Sequence, residues 1–266
     1  MSRILSGKSD TRRGRAVEME TRVKGKAVDV DYGDIERFFA ERSDRDGVKS
    51  KYNYVLFQDD NPELAEQRDA WEKEKIAPFL NVAQGKKTLD LGCGIGRWGE
   101  FFLPQGVRYV GMDGSAGMVR RGEENLKEYA DKHLFQGYLQ DFPTRLSEEG
   151  EEGSFDNILV NGVFMYLNDV DFHASLTNLL RYAAPSCTIY LKESMGTEER
   201  LTLRQVQSED LGQMYTAVYR SVEEYRNAYE DAFLPSCTCL ASGPLFAEGR
   251  NRKETLDYFF VYRRVS

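Results

Sequence analysis

The sequence predicts an α/β fold: a doubly wound, mostly parallel seven-stranded sheet with an antiparallel C-terminal edge hairpin and a helical N-terminal cap. Three observations carry this. Apolar strand-like runs alternate with helix-length segments from residue 87 onward, which calls for parallel pairing through crossover connections. The first of these runs ends in a glycine-rich turn, LDLGCGIGRWGEFF at 89–102, with glycines at 92, 94 and 96. The last two runs, CTCLASGPLF and TLDYFFVYRR, have no helix between them, as a hairpin at one sheet edge requires.

Taken in order, residues 1–28 hold Arg3, Lys8, Arg12, Arg13, Arg15, Arg22, Lys24 and Lys26 among few apolar side chains and read as a basic, flexible tail. Residues 29–84 read as the cap. YGDIERFFAER places Ile35, Phe38 and Phe39 at helical spacing. The aromatic joint YNYVLFQ (52–58) follows, and Asn61-Pro62 opens a charged helix from Glu63 to about Phe79. In the core domain, 85–266, KTLDLG is a strand and IGRWGEFFLPQ a helix, VRYVGMD a strand and SAGMVRRGEENLKEYA a helix. HLFQGYLQD and FDNILVNGVFMYL are the third and fourth strands, DVDFHASLTNLLRYA a helix, SCTIYLKES the fifth strand and SVEEYRNAYEDAF a helix. Acceptor-binding elements are expected around 193–232.

Composition narrows the function. The 266 residues, 41% hydrophobic and 12% aromatic, suit a globular protein with one sizeable core. A formal net charge of −8 argues against nucleic acid as partner, since phosphate binding needs concentrated positive charge. No run is long enough to span a membrane, and no apolar segment follows Arg12-Arg13 to make an export signal. Cys93, Cys187, Cys237 and Cys239 are scattered, and with only His133 and His173 they form no zinc pattern. The chain therefore reads as cytoplasmic, reduced and metal-free, and a homodimer is compatible with it.

Three glycines in five residues at a strand end suit either a tight turn or a ligand lying against the backbone at the sheet's carboxyl edge. The nicotinamide fingerprint G-x-G-x-x-G does not fit, because the third glycine comes one residue early. DLGCGIG, with Asp90 ahead of the loop, instead resembles motif I of the class I S-adenosylmethionine (AdoMet)-dependent methyltransferases. Over residues 87–194 three further motifs follow in order: YVGMDGS, LQDFP and FDNILVNGVFMYLND.

The resemblance implies AdoMet as cofactor, with Asp90, Gly92, Gly94, Gly96, Asp113, Gly114, Met118, Gln140, Asp141, Phe142 and Asn161 around it. Asp113 would take both ribose hydroxyls through its two acceptor oxygens, Asp141 the adenine amino group, and Phe142 would lie beside the ring. Taken singly, each acid also has a structural reading: Asp113 as a helix N-cap or turn residue, Asp141 as a strand end before Pro143, Asp90 as an acceptor for loop amides.

Methyl transfer asks mainly for alignment and a dry pocket. Asn161, Glu193 and Tyr166 are the candidate catalytic residues, and Tyr52, Tyr54, Gln58, Tyr215, Tyr219 and Arg220 the candidate acceptor-binding ones. Asn161 also reads as a turn residue before Gly162. Lys192 and Glu193 close the fifth strand facing opposite sides, so one of them reaches the pocket. Glu193 is preferred because a carboxylate can accept a proton or bind an amine, whereas Lys192 would suit an acidic acceptor. Tyr215, Tyr219 and Tyr225, in the tyrosine-rich stretch 214–229, either line a cavity or pack one face of a helix.

No histidine sits at a motif position, and an amine needs a weaker base than an alcohol does. The expected reaction is thus methyl transfer to a polar small molecule, favouring an amine such as an amino sugar. The alternatives are a small-metabolite O-methyltransferase, a protein N-terminal amine methyltransferase, an aminopropyl transferase and a non-catalytic AdoMet-binding subunit.

Overall fold

The computed structural model describes residues 21–208, 211–234, 236–246 and 253–265. Most of the basic stretch, residues 1–20, lies outside them. Its remainder is not a tail throughout, because β1 (Arg22–Lys24) pairs antiparallel with β7 (Leu201–Ser208).

Seven strands form the main sheet: β2 (Lys87–Leu91), β3 (Arg108–Asp113), β4 (Lys132–Gln136), β5 (Phe155–Asn161), β6 (Ala183–Gly196), β9 (Cys237–Pro244) and β10 (Thr255–Arg264). Their spatial order is β4-β3-β2-β5-β6-β10-β9. The first five are mutually parallel. β10 runs antiparallel to both β6 and β9, which is the edge hairpin that the sequence predicts. The order reverses at β2, so β2 and β5 leave the crevice at their carboxyl ends where α/β sheets bind ligands.

Both faces of the sheet are buried, which is why the central strands read as continuous apolar runs. Leu89, Leu91, Ile158, Val160, Leu191 and Phe260 pack under α7 (Asp169–Leu179) and α8 (Val222–Phe233). Trp98, Tyr109, Leu159, Tyr190, Phe259 and Val261 fill the opposite face. There they meet Ile76 of α3 (Pro62–Ile76), a helix that starts at Asn61, whose side chain accepts from the Leu64 N–H, with Pro62 in the first turn. α8 carries a full capping box between Ser221 and Glu224.

Three elements differ from the sequence reading. IGRWGEFFLPQ is not one helix: α4 (Gly99–Phe102) is a single turn, and Pro104 follows in a 3-10 turn. β4 ends at Gln136, because the Gly137 N–H turns to the Asp113 carbonyl and a Cβ there would lie 2.7 Å from Met112 Sδ; Leu139–Asp141 is then a 3-10 turn leading into α6 (Phe142–Glu148).

The largest difference is a second, antiparallel sheet, β1-β7-β8, with β8 spanning Gln213–Tyr219. Tyr215 and Tyr219 therefore stand on a strand, and only Tyr225 is helical. α1 (Tyr32–Ser43) packs on β8, with the Phe38 and Tyr215 rings edge to face at 5.2 Å. α2 (Asn53–Leu56) brings the aromatic joint against α5 (Ala116–Asn125), through Tyr54, Ile95 and Met118.

Candidate active site

A cavity of about 700 Å³ opens along the carboxyl edge of the main sheet, roofed by α1 and α2. Its wall runs along the strand ends from Gln136 and Gly137 through Asp113, Gly92–Gly94 and Asn161 to Lys192, Ser194 and Asp257. Adjacent strands are about 4.8 Å apart, so the track from β3 to β10, four spacings, is roughly 19 Å long.

The glycine loop and Asp113 form one hydrogen-bonded unit. The Gly92 and Cys93 N–H groups both donate to the Met112 carbonyl, at 2.7 and 3.0 Å. The Asp113 carboxylate accepts from the Gly94 N–H at 2.8 Å on one oxygen and from the Ser115 N–H at 2.8 Å on the other. Each oxygen keeps a lone pair for a further donor. Burial pushes the Asp113 carboxyl up, and the two main-chain donors oppose that shift. Asp90, fully buried behind the loop, accepts from Tyr109 Oη at 2.5 Å. Burial raises its carboxyl to about 7, against the pull of Tyr109 and Arg97.

The glycines prove necessary for a reason the sequence does not show. Gly92, Gly94 and Gly96 all have left-handed φ, at +80°, +55° and +75°. A Cβ at these positions would meet protein rather than the open cavity: Val163 at 2.1 Å, Val55 at 2.7 Å and Leu126 at 2.7 Å respectively. Gly96 in fact faces away from the cavity.

Of the residues that the sequence singles out, the wall gathers Asp90, Gly92, Gly94, Asp113, Gly114, Met118, Gln140, Asp141, Asn161, Tyr166, Gln58 and Tyr215. Phe142 is not among them: it is fully buried in the core, its ring 5.5 Å from Tyr182, because it opens α6 on the far side of the Leu139–Asp141 turn. Tyr52 donates to Glu100 at 2.8 Å and Tyr54 to the Arg45 carbonyl at 2.8 Å, so both hold the cap together rather than face the cavity. Tyr219 is buried in the small sheet's core. Arg220 is equally committed, donating to the Phe164 and Leu167 carbonyls at 2.9 and 2.7 Å and to Asp169.

Glu193 is the clearest correction. Strand alternation turns it away from the wall, and its carboxylate accepts from the Val163, Phe164 and Met165 N–H groups at 3.1, 3.0 and 3.2 Å. Burial pushes it up to about 7 despite these donors. It pins the Phe164–Tyr166 turn, and Lys192 is the neighbour that reaches the cavity.

That turn presents Tyr166, whose hydroxyl lies 2.9 Å from that of Tyr215 within an aromatic wall that includes Phe39 and Phe57. Burial pushes the Tyr166 phenol up, so it stays a neutral donor. Asn161, in the orientation its neighbours favour, accepts from Trp98 Nε1 at 2.9 Å and donates to the Val160 carbonyl at 3.2 Å.

Sequence reasoning missed a charged cluster on the same sheet face. Arg97, directly after the glycine loop, pairs with Asp69 at 3.1 Å and Glu72 at 2.8 Å. Tyr190 donates to Glu72 at 2.8 Å. Burial alone would raise the Glu72 carboxyl, but Arg97 and Lys192 hold it below the usual range. The available signal was spacing: Ala65, Asp69, Glu72 and Ile76 form the buried stripe of α3, with two acids in it. Neither histidine lies on the cavity wall; His133 instead pairs with Glu151 at 2.7 Å.

Comparison with known proteins agrees with this geometry. Residues 89–189 match the family model described as a methyltransferase domain. Phosphoethanolamine N-methyltransferase 1 of Triticum aestivum is 23% identical over 60% of this chain and 32% of its own length. A demethylmenaquinone methyltransferase of Staphylococcus carnosus is 28% identical over 45% of this chain and 47% of its own. The chain thus spans from about a third to about half of these relatives.

Among solved structures, Haemonchus contortus phosphoethanolamine N-methyltransferase 1, in complex with phosphoethanolamine and S-adenosylhomocysteine, superposes with a TM-score of 0.62 at 16% identity, covering 86% of this chain and 48% of that one. The N-methyltransferase NodS of Bradyrhizobium japonicum, with S-adenosylhomocysteine, gives 0.59 at 16%, covering 88% of this chain and 100% of that one. With its strand order, its loop-and-acid unit and this match, the chain carries at 89–189 a stretch similar to the methyltransferase domain.

Proposed function

We propose that the chain transfers a methyl group from AdoMet to the amine nitrogen of a small polar molecule. The residues present fit that cofactor: one continuous track holds Asp141 and Gln140 at one end, Asp113 beside them and the bare loop 92–94 next, with Asn161 beyond. Asp113 would accept from the ribose hydroxyls through its remaining lone pairs, Asp141 and Gln140 would bind the adenine edge, and the loop backbone would lie along the amino-acid portion. Bound there, AdoMet supplies a methyl whose bond to sulfur breaks as a bond to nitrogen forms, leaving S-adenosylhomocysteine.

The observation that carries the amine reading is the Tyr166–Tyr215 hydroxyl pair in its aromatic wall, at the turn following β5. Aromatic faces favour an arriving cationic ammonium over a neutral alcohol, and the phenol oxygens can accept its N–H groups and so orient the lone pair. The amine has only to shed its ammonium proton, which water can take, whereas an alcohol would need a stronger base. The N-methyltransferases among its relatives favour the same reading.

Incubating the chain with AdoMet and a panel of amino sugars, small amines and their hydroxyl analogues tests it, with S-adenosylhomocysteine and methylated product followed by mass spectrometry. N-methylated product is expected. Methylation confined to hydroxyl acceptors would overturn the amine reading.

A further inference from the structure

Among the described residues three other than glycine have left-handed φ, namely Phe57, Ser186 and Gln205, and of these Phe57 alone lines the cavity. Its φ of +52° and ψ of +47° place it in the small left-handed well, which a bulky L side chain seldom enters. Such a conformation persists only where the surroundings over-determine it, and it is concentrated at sites that clamp a ligand.

Here one buried side chain supplies the restraint. Arg42, in the last turn of α1 and 1% exposed, reaches the chain on both sides of Phe57. Before it, Nε donates to the Tyr54 carbonyl at 2.9 Å and Nη2 to the Asn53 carbonyl; the last carbonyls of a helix have no partner inside it. After it, Nη1 donates to the Asp59 carboxylate at 3.1 Å, and Nη2 pairs with the same group. Asp59 also pairs with Arg45 at 2.7 Å, and Arg45 donates to the Leu211 carbonyl at 2.6 Å, just ahead of β8. One guanidinium thus grips the chain at 53–54 and at 59, and the left-handed step between them falls on Phe57.

What the grip fixes is a ring. Phe38, buried in the core of the small sheet, meets the Phe57, Phe39 and Tyr215 rings at 5.8, 5.1 and 5.2 Å, and Phe39 meets Tyr166 at 5.1 Å. Phe39, Phe57, Tyr166 and Tyr215 all lie on the cavity wall. Phe57 stands edge to face with Tyr215 of the hydroxyl pair, 6.4 Å between ring centres. The Arg42 guanidinium lies 4.5 Å from the centre of the Phe57 ring. A cation already engages that ring's π system, so its effect on an arriving ammonium comes through shape rather than through charge.

We infer that Phe57 is a specificity-determining residue that narrows the cavity at the Tyr166–Tyr215 hydroxyl pair, and that Arg42 is its positioning residue. This rests on the proposed transfer to an amine and adds the shape of the substrate: an amine on an unbranched carbon enters, and one on a fully branched carbon is turned away.

Ligand-detected NMR titration of the full chain loaded with S-adenosylhomocysteine tests this with butylamine and tert-butylamine, and with butanol and tert-butanol as their hydroxyl analogues. Butylamine is expected to bind about tenfold or more tighter than its branched isomer. Phe57→Tyr keeps that ratio. Phe57→Gly, which suits the left-handed backbone, reduces it to about threefold or less and leaves S-adenosylhomocysteine affinity unchanged. Arg42→Met leaves the ring but frees its backbone, and should reduce the ratio in the same way. An arginine with a merely structural role would lower the unfolding midpoint and leave the ratio alone.

Equal affinity for the linear and branched probes in the unsubstituted chain would overturn the inference, and that comparison decides even if Arg42→Met does not fold. So would a ratio that survives Phe57→Gly, or no binding of any probe. Binding is read without turnover. A linear-over-branched ratio shown by the alcohols alone would remove the amine reading and leave Phe57 as the selecting wall.

Discussion

Asp113 accepts a hydrogen bond from the Gly94 main-chain N–H at 2.8 Å, which locks the acid at the end of β3 to the glycine loop at the end of β2. In the proposed function this one carboxylate would couple cofactor binding to loop geometry. Asp113→Ala should weaken S-adenosylhomocysteine binding, since hydrogen bonds to a charged group contribute about 1.5–3 kcal/mol each, or roughly tenfold to 150-fold per bond. Calorimetry reads this directly, and an unchanged affinity would remove Asp113 from the site.

Gly92 faces Val163, which belongs to the turn after β5. Gly92→Ala places a methyl 2.1 Å from Val163 Cγ2 and also forces an L side chain to φ +80°. Thermal unfolding should drop for the single variant and recover only in part for Gly92→Ala/Val163→Ala. The left-handed backbone still costs about 1–2 kcal/mol once the clash is gone. Full recovery would show that the conformation of the loop is not what the glycine supplies.

Glu193 separates a pin from a base. Glu193→Gln turns an NH₂ group toward main-chain N–H donors and should destabilise the chain by about 1–3 kcal/mol, while S-adenosylhomocysteine affinity is retained. A normal unfolding midpoint with turnover lost would instead make Glu193 the proton acceptor.

Asp90 predicts a pH dependence of stability. The unfolded chain releases this proton near the ordinary value of 3.8, and the folded chain holds it to about 7. Between those values the folded state binds more protons, so the contribution is complete below about pH 4 and is lost as pH rises to 7. Relative to Asp90→Asn, the unsubstituted chain should lose on the order of 1.4 kcal/mol per pH unit across that window. Denaturant midpoints measured at several pH values check it, and parallel curves would contradict it.

What was legible in the sequence is what local chemistry determines. Strand-helix alternation, the glycine loop and Asp113 each follow from spacing over fewer than ten residues, and the main sheet follows from them. β8 was hidden because YTAVY, residues 215–219, is buried on both faces, so no period of two marks it, and its tyrosines resemble those of the helix that follows. The sequence marks α3 only as a charged helix, because the partner of Asp69 and Glu72 is Arg97, some 25 residues away in sequence. Arg220, Tyr52 and Tyr54 suggested a binding surface by residue type. Only the fold shows that main-chain carbonyls and Glu100 already take their donors.

The most direct measurement is calorimetric titration of the chain with S-adenosylhomocysteine, with NAD as the competing dinucleotide. One S-adenosylhomocysteine bound per chain, undisturbed by excess NAD and weakened by Asp113→Ala, is the predicted result. No binding, or displacement by NAD, would contradict the assignment of the glycine loop and Asp113 to AdoMet.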